Sequence, residues 1–407
     1  MTEHHRHRPS NSFEQVMLGL EPGEGPADLF SQACVQEYLE HDPSQFGYLF
    51  AQVFEPEVLA EVALLSWVDG RAAATLQHCP TPRMSDLAER VRLAADLAPV
   101  ERLNLAASLI SISRFDAAEE VLRSVPDADA RLDFELGMLE FVVSNRRDEG
   151  ARSQGAFRRM QRAIESGSLP PERVMDACAQ AIVWYFKRKE VTDEQYKWFL
   201  ERGTRLAEDP GGVEPAALSS WYRGVAMVPA ASKQTAETRR LMERAREAAE
   251  ETIALRPRAY ERHLIKTYHE SSLKEHMFLH RDEAAADEAA KALIEVDPVW
   301  SPSYGELAES RAFFGHVDEA AEAWLQAADL GAPYEGHHRL RAAQALAQTE
   351  QAERALEQYL LLLDLAPEHR QVLTEAARLA EVLDHPRRGE LDERSSRATA
   401  LAESERA

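Results

Sequence analysis

Residues 304–333 read YGELAESRAFFGHVDEAAEAWLQAADLGAP, and residues 339–367 read RLRAAQALAQTEQAERALEQYLLLLDLAP. With a shift of 35, Leu307-Ala308-x2-Arg311 falls on Ala342-Ala343-x2-Leu346, and Ala320-x3-Trp324-x2-Ala327 falls on Ala355-x3-Tyr359-x2-Leu362. A proline closes each copy, at Pro333 and Pro367. Apolar residues three and four apart mark helices, so each copy is two helices joined by a turn. Alanine at the crossing lets two backbones approach, and the large residue one turn away fills the remaining gap. This pairing decides the fold.

The pattern extends upstream. Ala285-x3-Ala289-x2-Ala292 with Pro298 precedes its successor by 35 residues. Weaker copies are Ala245-x3-Ala249 with Pro257, Tyr196-x3-Leu200-x2-Gly203 with Pro210, and Ala156-x3-Met160-x2-Ala163 with Pro170. Leu105-Ala106-x2-Leu109 and Ala118-x3-Leu122 form a further pair ending at Pro126. From Ala118 to Ala355 the gaps are 38, 40, 49, 40, 35 and 35, so only the C-terminal part keeps a tight period. Tyr196 departs from the rule of a small residue at the crossing.

These residues resemble the tetratricopeptide repeat (TPR), a helix–turn–helix unit of about 34 residues. The resemblance is strongest over 260–368 and weaker over 100–260. It implies an all-α fold, a right-handed superhelical solenoid without β-sheet. It also implies a concave face that binds peptides or extended segments of partner proteins. Carried onto this sequence, the first-helix positions that would line that face are Glu270, Lys274, Met277, Glu309, His337, Leu340 and Gln344. The expected organisation is a helical region over 1–90, as degenerate repeats, a cap or a separate helical domain, then irregular repeats over 91–260. Regular repeats over 261–386 and a polar cap over 387–407 complete it, since a solenoid needs a polar end.

Composition narrows the function. The 407 residues hold 47 Lys plus Arg against 70 Asp plus Glu, a formal charge of -23. A field of that sign repels nucleic-acid phosphates and anionic membranes, so neither is expected as a partner. The most apolar stretch, Phe46 to Val68, is broken by Glu55, Pro56, Glu57 and Glu61, and a bilayer span needs about 20 mostly apolar residues. The start of the chain, with His4, His5 and His7 among arginines, has no apolar run behind it, as a secretory signal would. Three cysteines, none in a CxxC, suit a reducing, cytoplasmic setting.

Enzyme signatures are missing: there is no GxGxxG, P-loop, GxSxG, HExxH or EF-hand loop. No cofactor is expected. One constellation offers an alternative. His269, His276 and His280 fall within about 40° of each other on a helix, and three imidazoles on one stripe would suit a transition metal. However, His269 lies about 10 Å from His276 along the axis, and both occupy packing positions of the repeat. The competing reading is structural histidines. The aromatic run Trp184-Tyr185-Phe186 with Trp198-Phe199 reads as core, with a ligand pocket as its alternative. Acidic groups such as Glu247, Glu250, Glu251, Asp282, Glu283, Asp287 and Glu288 read as solvated faces. The leading expectation is a non-enzymatic interaction scaffold. Behind it stand an enzyme or small-molecule binder on the same helices, and a regulator with a ligand-sensing N-terminal part.

Overall fold

The computed structural model describes residues 93–404, apart from 112–114, 127–128, 256–261, 297–300, 331–334, 366 and 368. The expected N-terminal region over 1–90 and the punctuating Pro257, Pro298 and Pro333 lie outside the described residues. Among those described, the chain is entirely helical, with 16 α-helices and no strand. They fall into two compact units, whose described parts run from 93 to 296 and from 301 to 404. The sequence changes its repeat spacing near 260, whereas the packing divides at 296/297.

The first unit opens with α1 (Pro99–Ser111) and α2 (Phe115–Arg123), followed by α3 (Ala130–Arg146) with α4 (Gly150–Glu165). Next come α5 (Pro171–Lys187) with α6 (Glu194–Glu208), and α7 (Pro215–Ala231) with α8 (Thr235–Leu255). It ends on α9 (Arg262–Glu275), a π-helical turn over His276–His280, and α10 (Glu283–Val296). The second unit is α11 (Ser301–Phe313), α12 (Val317–Asp329), α13 (Glu335–Gln348), α14 (Ala352–Leu365), α15 (Arg370–Val382) and α16 (Arg388–Ser404). Within each unit, helices pack chiefly on their neighbours in the chain and on the next first helix, as in a helical-repeat solenoid.

Local chemistry sets the helix starts. Pro171 and Pro215 occupy the first turn, where a missing N–H costs nothing. Asp129 and Asp193 cap α3 and α6 by accepting from Leu132 N at 2.9 Å and Gln195 N at 2.7 Å. The turn inside each pair from α3 onward holds one left-handed residue: Asp148, Lys189, Lys233, Arg281, Gly315, Glu350 and Asp384. Glycine tolerates that conformation, yet it appears only at Gly315, with φ of 94°. The other residues carry a Cβ against the following carbonyl.

Small residues sit where helices cross. Ala118, Ala245, Ala320 and Ala355 are fully buried, and a Cβ added at Gly203 would run into the Trp221 ring. Tyr196, the exception, is buried and lies 6.3 Å from Tyr185, ring centroid to ring centroid. The aromatic run is core: Phe157 centres it, 5.5 Å from Trp184 and 5.6 Å from Phe199. In α10 the sequence phase needs correcting by one. Ala286, Ala290 and Leu293 are fully buried, while Ala285 and Ala292 are half-exposed. From Leu273 to Ala286 there are 13 residues, against 12 from Ala308 to Ala320. The π-helical turn absorbs the extra residue, as π-bulges do.

Two opposite shifts test the turn geometry. Glu350→Gly removes a left-handed strain of roughly 1–2 kcal/mol and adds some backbone entropy, so stability should rise by about 0.5–1 kcal/mol. Gly315→Ala should lower it by about 1 kcal/mol. Urea melts of the full chain report both. Filling a crossing is a separate test: Ala320→Leu should cost roughly 1–3 kcal/mol by overpacking, and an unchanged midpoint would refute the assigned crossing.

Candidate partner-binding face and the histidine turn

The expected face residues divide between the two units. In the first, Glu270 and Lys274 stand one turn apart on α9, both half-buried. Met277 belongs to the interior instead: it is 2% exposed, because the π-helical turn swings this end of α9 inward. In the second unit Glu309 of α11 is exposed, and His337, Leu340 and Gln344 of α13 are half-buried. Leu340 packs partly on the core formed by Trp324, Leu346 and Tyr359. The neighbouring His338 is 3% exposed and lies over Gly305, where an added Cβ would come within 2.6 Å of its Cε1. Gly305 thus lets α11 and α13 meet through an imidazole ring.

The histidine stripe is broken up. Burial lowers the pKa of His269, whose ring stands edge-on to Tyr268 at 5.3 Å. His276 and His280 lie 5.6 Å apart, centroid to centroid, on the π-helical turn. Each turns to a different partner. His280 Nε2 donates to Glu275 Oε1 at 2.9 Å, and Arg239 Nη2 of α8 donates to His276 Nε2 at 3.2 Å. Among the described residues, no group of three or more His, Cys, Asp or Glu side chains is gathered as a metal ion would need. Arg239 and Glu275 are the members that the sequence did not offer. They stand 36 positions apart, and Glu275 looks like one more solvated acid in a charged helix, although its side chain is 4% exposed.

Several arginines of the first unit are each held between two carboxylates. Arg152 pairs with Glu119 and Glu149, Arg159 with Asp133 and Glu140, and Arg173 with Glu135 and Asp176. Arg188 pairs with Asp148 and Glu190, and Arg239 with Glu243 and Glu275. Asp176 keeps 35% of its side chain accessible but sits deep in a recess of protein atoms. Desolvation there pushes its pKa up to about 6, with Arg173 opposing the shift.

No protein-family model matches the chain, and no curated protein does. Solved structures give weak likenesses. The assembly chaperone of RpL4 (Acl4, residues 1–338) is 16% identical at a TM-score of 0.36, covering 72% of this chain and 99% of that one. A signal-transduction ATPase with a tetratricopeptide repeat sensor from Pyrococcus horikoshii is 10% identical at 0.40, covering 96% and 67%. The human IFIT1 dimer with PPP-AAAA is 12% identical at 0.36, covering 84% and 82%. The helical-repeat fold described above stands on the chain's own packing. Among the described residues, no helix is long and apolar enough to cross a membrane.

Burial of histidines makes stability depend on pH. Burial takes the pKa of His338 from 6.5 down to about 3. A depressed folded-state value means that the unfolded chain binds the proton first. The contribution is therefore complete above pH 6.5 and is lost as pH falls below it. At about pH 5 the loss from His338 alone is on the order of 2 kcal/mol. Melts recorded across that range should show stability falling with acidification, and His338→Leu should flatten the slope.

Proposed function

We propose that the chain is a TPR-like interaction scaffold, binding an extended segment of a partner protein along the exposed faces of its first helices, in a cytoplasmic setting. The observation that carries this reading is the helix pairing. Second helices are consumed in packing at Ala245, Ala286, Ala320 and Ala355, while first helices keep polar side chains such as Glu270, Lys274, Glu309 and Gln344 at least partly accessible. A repeat built this way offers a row of regularly spaced side chains. Extended segments of a partner bind such rows as successive short contacts, in the sense that affinity is spread over several pockets.

The segment bound is basic. The formal charge is -23, and several arginines of the first unit are each already held by two carboxylates. A lysine or arginine of a partner would meet carboxylates that outnumber the chain's own cations, while an acidic segment would meet repulsion. Charge complementarity of this kind speeds association and weakens with salt.

The test is capture from the native extract by the full chain, with bound proteins identified by mass spectrometry. Glu309→Lys together with Leu340→Asp should reduce capture of the principal partner without a comparable loss of melting temperature. Captured segments should be rich in Lys and Arg, and raising salt by about one decade should weaken binding several-fold. Capture that is indifferent to these substitutions would refute the assigned face.

A further inference from the structure

We propose that Arg239, Glu275, His276 and His280 form a proton-operated latch that ties the π-helical turn to α8. Glu275 is the fixed centre. Its side chain is 4% exposed, Oε1 accepts from His280 Nε2 at 2.9 Å, and Oε1 lies 3.3 Å from Arg239 Nε in an ion pair. The other face of the guanidinium reaches His276, with Arg239 Nη2 at 3.2 Å from Nε2. An arginine only donates, so His276 Nε2 is the acceptor and the ring is neutral, with its proton on Nδ1. Both His276 Nδ1 and Glu275 Oε2 are buried and have no hydrogen-bond partner among the described residues.

A proton on His276 changes one bond and leaves the others. It removes the only acceptor that Nε2 offers and sets an imidazolium 3.2 Å from a guanidinium. The two cations then repel at close range beside the buried Glu275 carboxylate. Glu275 keeps Arg239 and His280, and protonation of His280 strengthens its bond to that carboxylate. The charged groups around His276 are Arg239 of α8 and Glu275 at the end of α9, with His280 and Asp282 in the turn leading to α10. Glu243 of α8 holds Arg239 from the far side at 3.6 Å. Burial and Arg239 lower the His276 pKa, while Glu275 and Asp282 oppose them. Acidification therefore breaks the His276 tie to α8 while the Arg239–Glu275 ion pair stays, and higher pH restores it.

The extra residue of this repeat gives the latch something to move. The turn closes through Asp282 N donating to His276 O at 3.1 Å, with Arg281 in a left-handed conformation at φ 58°. A π-helical turn lies one register step from an α-helical one. Losing the Arg239 tie frees that step at the end of the helix carrying Glu270 and Lys274.

Hydrogen exchange on the free full chain tests the latch without any partner, so its failure is separate from failure of the scaffold reading. Protection factors of amides 277–282, corrected for intrinsic rates, should fall between about pH 7.5 and about pH 4.5, a range that reaches well below the usual histidine value because burial and Arg239 lower the His276 pKa. His276→Gln offers a neutral acceptor at both values and should keep its protection. His280→Gln should keep the wild-type pH dependence. Arg239→Met removes the donor and should give low protection at both pH values, which keeps the test open should His276→Gln fail to fold. Wild-type protection that does not change with pH would overturn the latch. So would a loss that persists in His276→Gln, or one that disappears in His280→Gln.

Discussion

Two helices can lie close together only where one of them presents almost nothing. That constraint governs this chain. Ala118, Ala245, Ala320 and Ala355 are fully buried because another helix crosses over them, and Gly203 and Gly305 go further by admitting a Trp221 ring and a His338 ring. Deep contact between neighbours spares the fold from long-range pairing, so stability in each unit is built from one repeat to the next. It also leaves the outer edges of first helices with no packing duty, which is where polar residues can be spent on recognition.

The same constraint explains which parts of the fold could be read from sequence. Ala320-x3-Trp324 and Ala355-x3-Tyr359 announce their helices because small and large residues alternate at the helical period. Longer repeats upstream hide the periodicity, since Tyr196 fills a crossing with an aromatic ring. The turns were nearly illegible. All seven turns inside the helix pairs from α3 onward use a left-handed residue, but only one of those residues, Gly315, is a glycine. Lys189, Lys233 and Glu350 adopt the conformation because the packed helices on either side dictate it, not because their side chains prefer it.

The histidine stripe was legible as a pattern and misleading as geometry. Spacings of seven and four suit one face of an ideal α-helix, and they bring His269, His276 and His280 towards one line. The real helix stops being ideal at His276, where a single additional residue must be lodged. Met277 goes inward, His280 turns to Glu275, and His276 turns to Arg239. No local signal marks Arg239 as a partner, since the pairing exists only after α8 docks on α9.

The placement of the extra residue follows from what surrounds it. Downstream, Ala286, Ala290 and Leu293 must face the crossing, so α10 cannot rotate. Upstream, Leu273 is fully buried and fixes α9. The left-handed turn at Arg281 sets the chain reversal between them. A residue added to a fixed turn would break the reversal, whereas a residue added within the last helical turn only widens it to the π form. Widening has a cost in hydrogen-bond geometry, and buried charge offsets it. Glu275 ties Arg239 and His280 together at the widened turn, so removing either partner would leave a buried carboxylate short of a contact, which is strongly destabilising. The insertion and the charged cluster therefore depend on each other: the wider turn brings His280 back to Glu275, and the Glu275 contacts keep the turn wide.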